Sequence, residues 1–295
     1  MTDMADPLAV QRNARVSALV ERNPALSALI AQHDYATLER LLIEGRVTGS
    51  YHLSPRASAF LAQVPAGSRA DYICGFILAL GGSLRRRFAR SGLPEPFLAR
   101  YRACFARMFD EMEQGVFIAD PANDVCVKDM ALAMLTLVPC AAVMHLPGVG
   151  IGRKLLLHAG TSAWAKVLQA GGRAPYLEQH VHTPTLAMTF NADGFEESYA
   201  LAARLLRADK RLRGIFGTSW FYDPAAIALT PRLAFLRDGP SARGGLFFRV
   251  GPDAESTALA TATSPTRRIA AESGAYRPCR YGLIWPRADV LKHYG

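Results

Sequence analysis

Apolar positions along the first part of the chain recur at spacings of three and four. Leu26, Leu29 and Ile30, then Leu38, Leu41 and Leu42, mark one face of a helix over 8–45, closed by Gly45 and Gly49. Further helices are predicted over 56–64 and 69–90. Pro94-Glu95-Pro96 opens another at 96–114, where Phe97, Tyr101, Phe105 and Phe109 stand four residues apart. Such a stripe is most simply a core face.

The texture changes near 116 to short apolar runs broken by Gly and Pro. These predict strands near 132–146, 175–182, 214–222, 232–237, 245–250 and 279–285. Asp238-Gly239-Pro240 through Gly244-Gly245 reads as a hairpin loop between two of them. A helix over 193–209 stands out, with Asn191 or Asp193 as N-cap and Phe195, Tyr199, Ala202, Ala203 and Leu206 as its apolar face. The expected fold class is α/β or α+β, with a helical region over 1–115 and a mixed sheet lobe over 116–295.

Composition adds limits. Lys and Arg exceed Asp and Glu by 34 to 25, a formal charge of +9, and the Arg residues lie scattered in twos and threes. This favours anionic partners such as phosphates, an acidic carrier protein, nucleic acid or acidic lipid without choosing among them, and a small-molecule substrate, with neither nucleic acid nor membrane, is the expectation. The Ala- and Arg-rich usage fits a GC-rich bacterial genome. The five cysteines form no CxxC, which predicts buried thiols in a reducing cytoplasm. Met1 to Arg15 has no apolar stretch of the signal-peptide kind. The run Met130 to Val149 approaches membrane-spanning length, but Pro139, His145 and Pro147 interrupt it, so no span is expected.

Two stretches could carry chemistry. Pro147-Gly148-Val149-Gly150-Ile151-Gly152-Arg153-Lys154 spaces its glycines so that backbone N–H groups could approach an anion. It resembles the pyrophosphate loop of the GCN5-related N-acetyltransferases, with 153–170 as the helix and 176–181 as the next strand. The second stretch runs from His180. His180-Val181-His182-Thr183, Gly217-Thr218-Ser219-Trp220-Phe221-Tyr222-Asp223-Pro224, Ser264-Pro265-Thr266-Arg267-Arg268 and Tyr281 to Arg287 are similar to strings in a group of bacterial proteins. Their order of strand, helix, strand, Thr-Arg-Arg helix and strand also resembles the N-acyltransferase fold. Ala270 to Pro278 is similar to that fold's late helix-turn-strand. The two registers compete, and the second accounts for more of the chain.

The resemblance implies direct transfer of an acyl group from an acyl-CoA or acyl-carrier thioester to an amine of a small molecule, with no tightly bound cofactor. His182 or Asp223 would take the amine proton. Thr218 or a backbone N–H would steady the oxyanion, with Ser219 beside them. Trp220 would line the pocket, and Ser264, Thr266, Arg267 and Arg268 would hold the donor's phosphates at a helix start. One concave site is expected to gather these groups.

Two other classes remain open on sequence. His180 and His182 alternate, so on a strand they would share a face and could ligate a metal, with His158, His145 or Asp223 as a third ligand. This would suit a metal-dependent oxidoreductase, but no HExxH spacing accompanies it and no metal is expected. A non-catalytic small-molecule-binding protein is the other alternative.

Overall fold

The computed structural model describes residues 7–47, 50–184 and 189–295. The fold is α+β, and the chain divides into two compact units. Unit 1 comprises Met1–Pro139 with His182–Pro184, and unit 2 comprises Cys140–Val181 with Thr185–Gly295. The division falls later than the change of texture near 116, because the helix Asp124–Ala133 packs on the helices Ala66–Gly82 and Pro96–Glu113 of unit 1.

Unit 1 is helical. The stretch predicted as one helix over 8–45 is three, Pro7–Arg22, Leu26–Gln32 and Tyr35–Val47. Pro24 has no N–H to continue the first of them. Asp34 opens the third, accepting from the Thr37 backbone N–H at 2.9 Å and from its hydroxyl at 2.6 Å. Gly49, read as a terminator, lies outside the described residues. The 69–90 helix is likewise two, Ala66–Gly82 and Leu84–Ala89. The aromatic stripe is the core: Phe97, Tyr101, Phe105 and Phe109 are fully buried. Gly81 admits them, since a Cβ there would stand 2.7 Å from Phe109. Burying four aromatic rings contributes on the order of 2 kcal/mol each.

Unit 2 is built on a six-stranded sheet of order β1-β2-β3-β4-β6-β5. Its strands are β1 Val138–Cys140, β2 Val143–Val149, β3 Tyr176–His180, β4 Gly214–Ser219, β5 Leu246–Gly251 and β6 Arg280–Pro286. The chain passes from unit 1 to unit 2 within β1. β2 runs antiparallel to β3, β3 parallel to β4, and β6 antiparallel to both β4 and β5. One face packs Tyr176, Phe216, Phe248 and Ile284 against Leu156, Ala163 and Val167 of the helices Arg153–Ala159 and Thr161–Gln169. On the other, Tyr199 of the helix Ala192–Ala208 packs edge-on against Trp285, ring centroids 4.9 Å apart. That helix matches its sequence reading, down to Asn191 accepting from the Gly194 N–H at 2.8 Å.

Several sequence expectations are corrected. The strand over 132–146 is instead the end of a helix followed by two short strands, with Leu135 (φ 58°) and Ala141 (φ 52°) at the reversals. No strand forms at 232–237. Leu233, Leu236 and Pro240 are buried at helical spacing, in a 3-10 turn Pro231–Leu233 and the helix Phe235–Ala242. The hairpin loop placed at 238–245 is therefore the end of that helix and the turn into β5. The helix over 153–170 breaks at Gly160, whose φ of 83° suits glycine. Among the described residues no helix is long and apolar enough to cross a membrane.

Candidate active site

The sheet opens between its two parallel strands. β3 and β4 are in register only at Leu177↔Ile215 and Glu178↔Phe216. Their outer edges stay paired further along, to Met144↔His180 on β2 and Ser219↔Tyr281 on β6. The strands thus diverge as a wedge at their C-terminal ends, and the connection between them leads into the helix Ala192–Ala208. Crevices at the carboxyl ends of parallel strands are the usual ligand sites of α/β sheets, and the start of the crossover helix adds N–H groups suited to an anion. The glycine run Gly148 to Gly152 has no such setting, because it joins β2 to helices that lead into an antiparallel neighbour.

Each wall of the wedge carries polar groups, and the period-2 alternation of strands sorts them by face. On one face stand Glu178 and His180 of β3 with Thr218 of β4. The His180 Nε2 lies 3.1 Å from the Glu178 carboxylate, and both side chains keep partial access to solvent. The contact sets the His180 ring against the Glu178 carboxylate. On the other face stand Gln179 and Gly217. The Tyr222 hydroxyl donates to Gln179 Oε1 at 3.1 Å. Burial raises the Tyr222 pKa, so its phenol keeps its proton. Gly217 lies beside this bridge, and a Cβ there would make ordinary contact with Gln179 at 3.4 Å and the Tyr222 hydroxyl at 3.5 Å.

Behind Gln179, His145 of β2 is its direct cross-strand partner. It is fully buried, and neither ring nitrogen has a hydrogen-bond partner among the described residues. Burial, with His180 as a smaller second influence, pushes its pKa down to about 3. It is a neutral imidazole at ordinary pH.

The residues singled out from sequence take varied places. Thr218 and Ser219 lie half-buried at the end of β4, and Ser219 Oγ accepts from the Phe221 N–H at 3.1 Å. Asp223 is buried, with Oδ1 accepting from Ala225 N–H at 3.1 Å and Oδ2 from Cys279 N–H at 3.0 Å. Both oxygens are occupied in pinning the loop after β4 to the start of β6. Trp220 and Arg267 do meet, with the guanidinium 4.6 Å from the ring centroid. Arg267, expected to hold donor phosphates, is however buried, donating to Ala260 O at 2.6 Å and Thr230 Oγ1 at 2.8 Å. Ser264 caps the helix Pro265–Glu272, on which Thr266 and Arg268 are exposed.

His182 falls outside this group. β3 ends at His180, so the two histidines do not share a strand face. His182 belongs to unit 1, where it and Asp129 are each 1% exposed and its Nε2 lies 3.2 Å from Asp129 Oδ1. Among the described residues no group of three or more His, Cys, Asp or Glu is arranged to hold a metal ion. Glu178, Gln179 and Asp129 were not singled out from the sequence. Only Glu178 had a local signal, its alternation with His180.

No family model matches the chain, and no curated protein matches it in sequence. Solved structures do. An acyltransferase variant in complex with octanoyl-CoA is 15% identical, with a TM-score of 0.54 over 90% of this chain and 80% of that one. An acyltransferase in complex with decanoyl-CoA gives a TM-score of 0.54 at 14% identity, with the same shares covered. A complex of acyltransferase with decanoyl-CoA and teicoplanin gives 0.54 at 15% identity, again over 90% and 80%. This chain therefore has a divergent acyltransferase fold, shared with enzymes crystallised with an acyl-CoA.

Proposed function

We propose that this protein transfers an acyl group from a thioester, acyl-CoA or an acidic acyl-carrier protein, to an amine on a small molecule. The observation that carries the reading is the wedge between parallel β3 and β4, in a fold whose solved neighbours bind acyl-CoA. The strand, crossover helix and inserted antiparallel strand also fit the GCN5-related N-acetyltransferase resemblance drawn from the sequence. An extended donor bearing amides suits a gap between diverging strands, where backbone groups complete a ladder with the ligand.

Within unit 2 the group best suited to take the amine proton is His180, oriented by Glu178 at 3.1 Å. Asp223 is less suited, because both its oxygens already accept backbone N–H groups. Attack of the freed amine on the thioester carbonyl gives an oxyanion. Thr218, on the same face as His180, and backbone N–H groups at the end of β4 are the donors near at hand. The C–S bond then breaks, and the thiolate takes up the proton that the new amide nitrogen sheds, giving the amide and the free thiol. The acceptor is a small molecule in the sense that one neighbour was crystallised with teicoplanin together with decanoyl-CoA.

The test uses the full chain with decanoyl-CoA. Calorimetric titration should detect binding, and free thiol should appear only when a primary amine from a panel is added, with the matching amide seen by mass spectrometry. Absence of both binding and amine-dependent thiol release rejects the reading.

A further inference from the structure

Two guanidinium groups of unit 2 gather around Tyr281, the residue of β6 that pairs with Ser219 at the end of β4. Arg249 of β5 stands directly opposite Tyr281 in the next ladder, so the two side chains share a face. Arg237, from the helix Phe235–Ala242, lies over the same rings. Its guanidinium carbon is 5.5 Å from the Tyr281 centroid and 4.7 Å from that of Phe247. Both arginines work against the burial that raises the Tyr281 phenol. Arg249 is exposed, and Arg237, Phe247 and Tyr281 are half-buried, so solvent reaches the cluster.

Neither guanidinium has an acidic partner among the described residues. Arg237 Nη1 donates to Tyr222 O at 2.8 Å, and Arg249 Nη2 lies 3.3 Å from Cys279 Sγ. Other arginines of this unit are matched: Arg243 to Glu196 at 2.6 Å and Arg280 to Asp253 at 3.1 Å. Asp223, whose charge also acts on Tyr281, has both oxygens engaged by backbone N–H groups. A guanidinium carries five N–H donors, and one held against ring faces keeps its edge for a planar, bidentate anion.

The place of the cluster says which anion. β3 and β4 are parallel, so His180 and Ser219 close their strands at the same end of the sheet. β6 lies beyond β4, two strand spacings or about 10 Å from β3. The thioester donor occupies the β3–β4 wedge, with its phosphates suited to the start of the crossover helix on the β3 side. The Arg237–Arg249 cluster is on the opposite side, where the acceptor lies.

We propose that Arg237 and Arg249, with the rings of Phe247 and Tyr281, form a site for a carboxylate of the acyl acceptor, about 10 Å from the amine that is acylated. The proposal rests on the acyl-transfer reading for the identity of the molecule bound. It names the acceptor class as an amine with a distant carboxylate. A free peptide of about three residues has that span when extended.

The experiment uses the full chain and three probes: glycylglycylphenylalanine, its C-terminal amide and coenzyme A. The guanidinium N–H signals of Arg237 and Arg249 are followed by nuclear magnetic resonance and assigned by their loss in Arg237→Lys and Arg249→Lys. The tripeptide should shift both signals saturably, while its amide and coenzyme A leave them in place. In turnover with decanoyl-CoA, Arg237→Gln and Arg249→Gln should each raise the Michaelis constant for the tripeptide at least about tenfold. The kcat should stay within about twofold, and the Michaelis constant for the amide should not change. If Arg237→Gln fails to fold, Arg249→Gln, at an exposed position, carries the kinetic test.

Signals that stay fixed with the tripeptide, or that move equally with its amide, overturn the proposal. Movement with coenzyme A also overturns it, by giving the site to the donor's phosphates. So does a fall in kcat at constant Michaelis constant. Tripeptide binding at both signals, with no amine of any kind releasing thiol from decanoyl-CoA, rejects the acyl-transfer reading and supports the carboxylate site.

Discussion

Two histidines, two positions apart in sequence, are each set against a carboxylate in different surroundings. His180 of unit 2 sits 3.1 Å from Glu178 with both side chains partly open to solvent. His182 of unit 1 sits 3.2 Å from Asp129 with both buried. An accessible imidazole can exchange protons with a ligand, whereas a buried one fixes the chain that carries it. Pairing with a carboxylate does not separate a working histidine from a structural one. Solvent access and connections do. His145 adds a third condition, burial without a carboxylate, and there the protein keeps the ring neutral.

The sharpest way to break this comparison is to remove each imidazole's function in turn. His180→Ala should lower amine-dependent acyl transfer by about 10²- to 10⁴-fold, the range for loss of a general base. Glu178→Gln should produce a smaller loss, and neither should shift the urea midpoint appreciably, because partly exposed pairs contribute roughly 0–1 kcal/mol. Activity that survives His180→Ala would return the role of base to another group.

Next in size is the buried pair. Asp129→Ala leaves Arg107 and His182 without their shared carboxylate and should destabilise the protein by about 3–5 kcal/mol in urea unfolding. A cost below about 1 kcal/mol would mean that the cluster is hydrated in solution.

His145 sharpens the comparison through pH. Its folded pKa is depressed below the usual histidine value of about 6.5, so the unfolded chain binds the proton first as pH falls. Its neutral form is stable in the fold above that value, and stability is lost as pH drops toward about 3. Between pH 7.5 and 5.5 wild type should lose roughly 1.4 kcal/mol more than His145→Phe, measured by urea unfolding at each pH. Equal losses would show that the ring is solvated.

The smallest effects are expected on the helix Pro265–Glu272. Thr266→Ala and Arg268→Ala should change stability by less than about 0.5 kcal/mol, since both side chains are exposed. Arg267→Ala, by contrast, removes the guanidinium from Trp220 and should alter tryptophan emission. A shift in decanoyl-CoA affinity with Arg268→Ala would restore the expected phosphate site at this helix start.

Much of the fold was legible because it depends on local period. The aromatic stripe from Phe97 to Phe109 and the helix Ala192–Ala208 were readable from spacing and one cap, and both are buried as their patterns required. Errors arose where period and punctuation disagreed. Leu233 to Leu236 read as a strand because the run is short, and only its packing selects a helix.

The candidate site was legible in part. The strings at His180 and at Thr218 to Asp223 pointed to the ends of β3 and β4. The partners that give those residues their roles were not. Tyr222 reaches Gln179 across 43 residues of sequence, and Asp129 lies on a helix far upstream of His182. What the sequence by itself determined was which segments are helices or strands, which faces are apolar, and that chemistry-bearing side chains collect near 180 and 220. What only the tertiary structure decided was the parallel pairing of β3 with β4, the early end of that pairing, and the burial of His182 against Asp129 rather than beside His180. The physical reason is that hydrophobic period acts over a few residues along the chain. Strand pairing and the desolvation of a charge depend instead on which distant residues the fold brings alongside.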